Sequence, residues 1–411
     1  MMDPLKLGAL LKERRKAARL SRKTLAQRTG FSESTVKNLE NGRHQPTQHT
    51  LSLLLSVPEL NLRPDDLFSV AVAPPPLPVI AMNSYLAPGT DPMQAVADIQ
   101  KRLQGEGGSL EQSSLYLDPA GAAAWYAVAN VPAYAARREL QHLGDVAAAV
   151  LQQVGTAGLD VIGLGCGDGH KEVRLVQHLL ADPEPPAIRL FLLDLSQPLL
   201  AHAFRTASQN LPRGASAFAI QGNFHHLPLY MGVMERLGAR RRLLCLFGGT
   251  FGNLDNEVRF LRHNLQGLEP GDLLLLHVGR CYAPCDQPEA VRRLDPQLNG
   301  TTPHEVQALE RQWLTGPLER YGRQVGDPLP ELEVESRFDN TSCVVPGSYA
   351  IEKAVLVKEP GRSPRRFVVT YVKRYEPIGL AGCMNELGWK PLAIYDQEVG
   401  NHLLALFQQQ D

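Results

Sequence analysis

No apolar run in these 411 residues approaches the roughly 20 that a bilayer-crossing helix needs, and the charged stretch Lys12-Glu13-Arg14-Arg15-Lys16 is followed by no signal-peptide hydrophobic segment. Membrane insertion and secretion are therefore not expected, and the chain reads as a soluble, cytoplasmic protein. Cysteine is scarce as well: six in a chain of this length do not make a disulfide scaffold. Cys281 and Cys285 lie close in sequence, yet no second pair or histidine cluster completes a zinc site, so both read as reduced thiols and no metal is expected. Neither sign of charge is in excess. Lys and Arg number 42, Asp and Glu 43, and a net charge of −1 selects no class of partner. Internal repeats are absent, and the sole low-complexity tract is one proline-rich stretch. An apolar content of 44% gives ample core for the two to three domains expected at roughly 150 residues each, and excludes a disordered or fibrous chain.

What charge there is lies unevenly. Residues 1–45 hold eleven basic and four acidic side chains, a net of +7, which leaves −8 for the remainder: a basic, polyanion-binding head on an acidic body. In that head Leu7, Leu10, Leu11, Ala17 and Ala18 line one face of a first helix. Two short helices follow between Ser21 and Gly42. Leu25, Ala26, Val36 and Leu39 supply their buried contacts, Gly30 the turn, Ser32 the cap of the second helix and Gly42 its end. Over residues 5–68 this grammar resembles the phage-repressor helix-turn-helix family of Cro and cI type, also called XRE. The resemblance implies that Glu33, Ser34, Lys37 and Asn38 face the major groove of double-stranded DNA while Arg22 and Arg43 reach phosphates. One such module holds DNA weakly, so a homodimer on two half-sites is the expectation.

The composition then changes. Ala73-Pro74-Pro75-Pro76-Leu77-Pro78 can neither continue a helix nor enter a sheet, because each proline lacks an N–H and clashes with the preceding turn. The head therefore spans residues 1–70, and 71–110 read as a stiff linker with a connecting helix near Asp91 to Gln104. An Ala-rich helical region fills 111–153. From Leu159 short apolar runs alternate with helical segments: Asp160–Leu164, Ile188–Leu193, Ala215–Gln221, Leu243–Phe247 and Asp272–His277, the pattern of buried parallel strands. Tyr349–Val357, Arg366–Val372 and Pro391–Tyr395 are further strand candidates. The expected fold is an α/β, doubly wound, Rossmann-like domain over 111–411, preceded by the small all-α head.

The first strand runs into Gly163-Leu164-Gly165-Cys166-Gly167-Asp168-Gly169, where glycines let a ligand approach the backbone. The dinucleotide pattern G-x-G-x-x-G fails, since its last position falls on Asp168 or His170. The alternating form instead resembles motif I of class I methyltransferases that use S-adenosylmethionine (SAM). Asp194 ends the second strand, where a carboxylate can accept from ribose hydroxyls; Gly222-Asn223-Phe224 ends the third, where an amide and an aromatic face suit adenine; Gly248-Gly249-Thr250-Phe251-Gly252-Asn253-Leu254 ends the fourth.

Together with Gly222-Asn223-Phe224-His225-His226, Leu268-Glu269-Pro270-Gly271-Asp272 and Ile351-Glu352, these motifs over residues 112–410 resemble the histidine-specific N-alpha methyltransferases of ergothioneine biosynthesis. The resemblance implies a SAM site built from Gly165, Gly167, Lys171, Asp194, Asn223 and Phe224, and an amino-acid substrate held by Tyr134, Asn253 and Glu352. This sequence departs from the pattern in five places, one of them near Arg293-Leu294, where a further tyrosine of the pattern is replaced. Leu117 stands for a tyrosine, Lys353-Ala354 for methionine and serine, Asn223 for an aspartate, and Gly163 for the acidic residue before the glycine loop. Lost polar contacts of about 1–3 kcal/mol each would alter substrate preference. The function expected is methyl transfer to a histidine-like amino acid or related small amine, coupled to DNA binding. The alternative is a transcriptional regulator whose altered enzyme domain senses SAM or a metabolite. DNA methylation is not expected, because the Asp/Asn-Pro-Pro-Tyr type motif that holds a flipped base is missing.

Overall fold

The computed structural model describes residues 4–43, 50, 53–54, 56–62, 80–84, 92–103, 105, 107–131, 140–321, 330–359, 361–397 and 401–410. The proline stretch 73–78 and Tyr134 lie outside the described residues. Helices α1 (Pro4–Ala17), α2 (Arg22–Thr29) and α3 (Glu33–Glu40) open the chain. The Ser21 hydroxyl accepts from Thr24 N at 3.0 Å and caps α2, and Ser32 caps α3 by accepting from Thr35 N at 3.1 Å. Gly30, at φ +73°, turns the chain between them in the left-handed region. Leu25, Ala26, Val36 and Leu39 are buried as the pattern requires, packed with Leu11, Leu54, Val57 and Leu60. On α1 the buried stripe runs Leu7, Leu11, Arg15, while Ala17 is exposed and Ala18 half-buried. Arg15 turns inward because Glu40 is fully buried and needs a countercharge.

The body, Pro78–Asp411, forms a second unit. Its strands are β1 (Ile80–Ser84), β2 (Gly107–Ser109), β3 (Leu159–Leu164), β4 (Ile188–Asp194), β5 (Ala215–Gln221) and β6 (Arg241–Leu246). They continue with β7 (Leu273–Arg280), β8 (Glu331–Asp339), β9 (Tyr349–Lys358), β10 (Arg365–Tyr375), β11 (Trp389–Gln397) and β12 (His402–Gln409). The five expected parallel strands form within three residues of their expected ends, in the order β5-β4-β3-β6-β7. Apolar side chains cover both faces. Ile162, Leu193 and Leu244 pack on one side with the helices Leu227–Glu235 and Pro377–Glu386, and Val161, Leu190 and Leu243 on the other with Leu143–Val154 and His170–Leu179. This is the doubly wound arrangement, and the order reverses between β3 and β6, where a crevice opens at the strand ends.

Three elements correct the sequence reading. Residues 71–110 are more than a linker: Ile80–Ser84 adds a parallel strand beside β5, and Gly107–Ser109 pairs with β10. The winding does not extend over all of 111–411. β8, β9 and β10 form an antiparallel sheet, closed by the helix His304–Tyr321, and it meets β7 along Arg374 and Tyr375. β12, antiparallel to β7, brings β11 onto the main sheet and adds a strand at a run the sequence left unassigned. Among the described residues no helix is long and apolar enough to cross a membrane.

Candidate functional site

The glycine loop occupies the crevice. Gly165, Gly167 and Gly169 have φ of +65°, +56° and +69°, so the turn itself requires residues without a Cβ. A Cβ at Gly167 would stand 2.7 Å from the Trp125 ring, and one at Gly165 3.2 Å from Thr250 and 3.4 Å from Phe224. These two glycines therefore keep the loop open toward a cavity, whereas Gly169 packs against the Ala203 methyl.

The cavity, about 410 Å³, is lined by Gly165, Gly167, Lys171, Asp194, Asn223, Phe224 and Asn253, which the strand ends bring together. Asp194 is buried and staples the loop, one carboxylate oxygen accepting from Gly167 N and the other from Ser196 N, each at 2.8 Å. Burial pushes its carboxyl up to about 6 against the pull of those backbone hydrogen bonds. Asn223 caps the turn Phe224–His226 by accepting from His225 N at 3.0 Å. That turn fixes Phe224, whose ring stacks on His225 at 4.8 Å and meets the edge of Phe260 at 5.8 Å. Asn253 sits on the turn Phe251–Asn253 and donates its backbone N–H to the Gly249 carbonyl at 3.1 Å. A wall of aromatic rings adds Tyr116 to the cavity, 6.5 Å from Trp125 and 5.7 Å from Trp313. A tyrosine hydroxyl is therefore present one residue before Leu117, which replaces the family's own. Next to it Asp118 caps the helix Pro119–Ala129 and pairs with Arg320 at 2.7 Å.

Trp125, Trp313 and Arg374 line the cavity without having been singled out in the sequence, and so does one acid. Glu172 is buried on the helix His170–Leu179, and a Cβ at Gly163 would stand 2.8 Å from its Cγ. The acidic residue missing before the loop is thus replaced from the helix, in space that only a glycine at 163 leaves open. Burial, opposed by its own backbone N–H and by Lys171 and reinforced by Asp168 and Asp194, pushes this carboxyl up to about 8. The legible signal was the coincidence of a missing acid with an unexplained one on the inner face of the next helix.

Glu352 stands elsewhere. It lies on the face of β9 where Arg366 pairs with it and the Tyr371 hydroxyl donates to it at 3.4 Å. Its neighbour Lys353 occupies the opposite face, buried and paired at 3.1 Å with Glu310, which lines the cavity. Strand alternation thus exchanges the two residues relative to the expected arrangement.

In the head, Glu33, Ser34, Lys37, Asn38 and Arg43 are exposed, and the first four share α3. Arg22 is committed within the domain, its Nε 2.8 Å from Glu40, with a third of the side chain left exposed. Burial would raise the Glu40 carboxyl, but hydrogen bonds from Arg15 and Arg22 outweigh it and hold it below its ordinary range.

A family model described as histidine-specific methyltransferase, SAM-dependent, matches residues 95–289, and a helix-turn-helix domain model matches residues 6–64. The chain is 39% identical over 62 residues to the ImmF control region 10 kDa protein of Bacillus phage phi105, a stretch covering 15% of this chain and 69% of the phage protein. Among solved structures the chain is similar to magnesium protoporphyrin IX methyltransferase from Synechocystis with bound SAM, at 10% identity and TM-score 0.38, over 74% of this chain and 99% of that one. It is also similar to a SAM-dependent methyltransferase from Clostridium acetobutylicum, at 12% identity and TM-score 0.35, over 67% of this chain and 94% of that one. Fold and family match define the class: a SAM-dependent methyltransferase domain behind a helix-turn-helix domain. Within that class, the family model that matches the body, over residues 95–289, is the histidine-specific one. The site suits SAM, with a glycine cradle that a Cβ would fill and a buried acid at the next strand end.

Proposed function

We propose that the protein is an N-methyltransferase for an amino acid or a related small amine, and that residues 1–70 couple it to double-stranded DNA. The convergence of Gly165, Gly167, Lys171, Asp194, Asn223, Phe224 and Asn253 on one cavity carries this reading. When bound, SAM supplies a methyl group on a positively charged sulfur, which a neutral amine nitrogen takes, leaving S-adenosylhomocysteine. The chain's own part is orientation and exclusion of water. Gly165 and Gly167 keep the backbone within reach of the cofactor's amino-acid end, and Lys171 offers that end a cation. Asp194, with one hydrogen bond on each oxygen, keeps lone pairs for ribose hydroxyls. Phe224 and Asn223 hold the adenine. The Asn253 amide oxygen accepts from the amine and directs its lone pair, while Tyr116, Trp125 and Trp313 keep water from the nucleophile.

On DNA, Glu33, Ser34, Lys37 and Asn38 read bases while Arg43 and the exposed part of Arg22 meet phosphates, in a homodimer on two half-sites. Dependence on DNA and SAM supports a cytoplasmic protein. A second reading, a regulator that senses SAM or a metabolite without turning over, is favoured by the pairing of Glu352 with Arg366, which takes it from acceptor binding. The deciding experiment is mass spectrometry of the chain incubated with SAM and a pool of amino acids and biogenic amines. A methylated product that disappears in Asn253→Ala supports the enzyme. Tight SAM binding without product across the pool supports the sensor.

A further inference from the structure

Glu172 sits on the first turn of the helix His170–Leu179, 2% exposed, and lines the cavity beside the glycine loop. Its side chain fills the space that Gly163 leaves, since a Cβ at 163 would stand 2.8 Å from Cγ and 3.1 Å from Oε1. The carboxyl therefore lies against β3 where the loop begins, and its own backbone N–H donates to it. Charged and titratable groups face it from several elements. Lys171 adjoins it on the helix, Asp168 and Cys166 belong to the loop, Asp194 ends β4, and Cys245 comes from β6. Burial pushes both thiols up, so they stay neutral. His277 of β7 lies across Gly248 from Lys171: its Nδ1 accepts from Gly248 N at 3.3 Å, and a Cβ at Gly248 would stand 3.4 Å from Lys171 Nζ. Three carboxyls thus face one ammonium in a buried space where repulsion is weakly screened. Asp194 accepts from two backbone N–H groups and Asp168 from His170 N at 3.2 Å, so Glu172 is the member that takes the proton. With its carboxyl near 8, it is about nine-tenths protonated at about pH 7.

SAM and S-adenosylhomocysteine differ by one methyl group and one positive charge, that of the sulfonium. A cation entering a cavity with a buried carboxyl in its wall favours the ionised form, and a neutral thioether does not. We propose that Glu172 reads the charge of the cofactor: it gives up its proton to solvent when the sulfonium enters and regains one when the neutral product is left, so that the site prefers SAM to S-adenosylhomocysteine. No bond to the cofactor forms. The sign follows from linkage: affinity for SAM rises with pH up to the carboxyl's value in the empty cavity, near 8, and affinity for S-adenosylhomocysteine rises less. This role rests on the cofactor half of the reading above and is independent of turnover and of the acceptor.

The test is calorimetry on the full chain with SAM and with S-adenosylhomocysteine, each in two buffers of different ionisation enthalpy, which counts the protons released. At about pH 7 SAM releases roughly 0.8 proton more from the parent than from Glu172→Gln, and S-adenosylhomocysteine less than about 0.3 more. Between about pH 7 and 8 the parent's preference for SAM rises about fivefold beyond any rise in the variant. The ligands' own amines, Asp168, Asp194 and His277 titrate in both chains, so the difference belongs to Glu172. At about pH 6, where the parent's Glu172 is itself neutral, S-adenosylhomocysteine affinity within about threefold of the parent shows that the variant is folded. The two-ligand comparison on the parent stands without any variant. Equal proton release by the two ligands in the parent overturns the proposal, as does an excess that survives Glu172→Gln. Binding of neither ligand overturns it together with the cofactor site. Proton-linked SAM binding with no methylated product from any amine upholds Glu172 and sinks only the small-amine enzyme.

Discussion

Asp194→Asn separates two tasks that one side chain performs. Its carboxylate accepts from Gly167 N and Ser196 N at 2.8 Å. An amide is as neutral as the protonated acid, but it turns an NH2 toward one of those donors and leaves a backbone N–H without a partner, a cost of about 1–3 kcal/mol. Against this stands relief from burying a charge. A carboxyl raised from 3.8 to about 6 has its ionised form disfavoured in the folded state by roughly 3 kcal/mol. Because the folded value lies above the unfolded one, the stability tied to this group is full below pH 3.8 and is lost as pH rises through about 6. The two effects nearly cancel at about pH 8, so the melting temperature there should move by no more than about 4 °C. At about pH 5 less relief is available and the variant compares less well with its parent. Affinity has no such compensation. The ribose loses a charged acceptor and the loop one of its staples, together about 1.5–3 kcal/mol, or roughly 10- to 150-fold weaker binding of S-adenosylhomocysteine. Calorimetry at pH 8 reads this directly. A folded variant that binds S-adenosylhomocysteine as tightly as the parent refutes the assignment of Asp194 to the ribose.

Glu172→Gln should flatten the alkaline side of the stability profile: the folded carboxyl titrates near 8 and the unfolded one near 4.5, so the parent loses stability as pH rises through about 8 and the variant does not. Parallel melting curves from pH 6 to 9 for the two chains would contradict this. In the head, Gly8→Ala places a methyl 2.5 Å from the Leu39 carbonyl oxygen and 2.6 Å from that of Glu40, atoms of backbone that cannot yield. It should lower the head's stability by about 1–3 kcal/mol, visible in calorimetry as a shifted transition for that unit alone. Arg43→Ala should weaken DNA binding evenly across sequences and reduce the slope of log affinity against log salt by about 0.9, whereas Asn38→Ala should relax sequence preference and leave the slope unchanged. Filter binding of both variants over a salt series distinguishes them.

The main sheet was legible because β3 to β7 are buried on both faces, and unbroken apolar runs between turn residues announce such strands. The helix-turn-helix was legible because its caps and turn glycine act locally. What escaped depends on distant partners. The run Leu403 to Phe407 is wholly buried and fits helix or strand equally until β7 lies beside it. Ile80–Ser84 is short and follows a proline tract, so its place at the sheet edge is fixed by β5 alone. The exchange of Glu352 for Lys353 is a matter of parity. Neighbouring residues of a strand face opposite sides, and which side of β9 meets the helix that carries Glu310 is set by where β8 and β10 hold it. Motif spacing carries no record of that placement. Arg374 was hidden for a related reason, since in sequence it is one basic residue of the run Lys373-Arg374, and only the ladder to Gly279 puts it in the cavity.

β10 meets the parallel sheet over two residues and otherwise belongs to its own antiparallel layer. Mechanically this is a cantilever, clamped at Arg374 and Tyr375 and locked by the buried Lys373–Glu257 pair. Side chains along β8 and the outer length of β9 can change without relaying the strands that hold the glycine loop. Change along the free end of that layer is thus decoupled from the cofactor cradle, and the clamp is the part that must be kept.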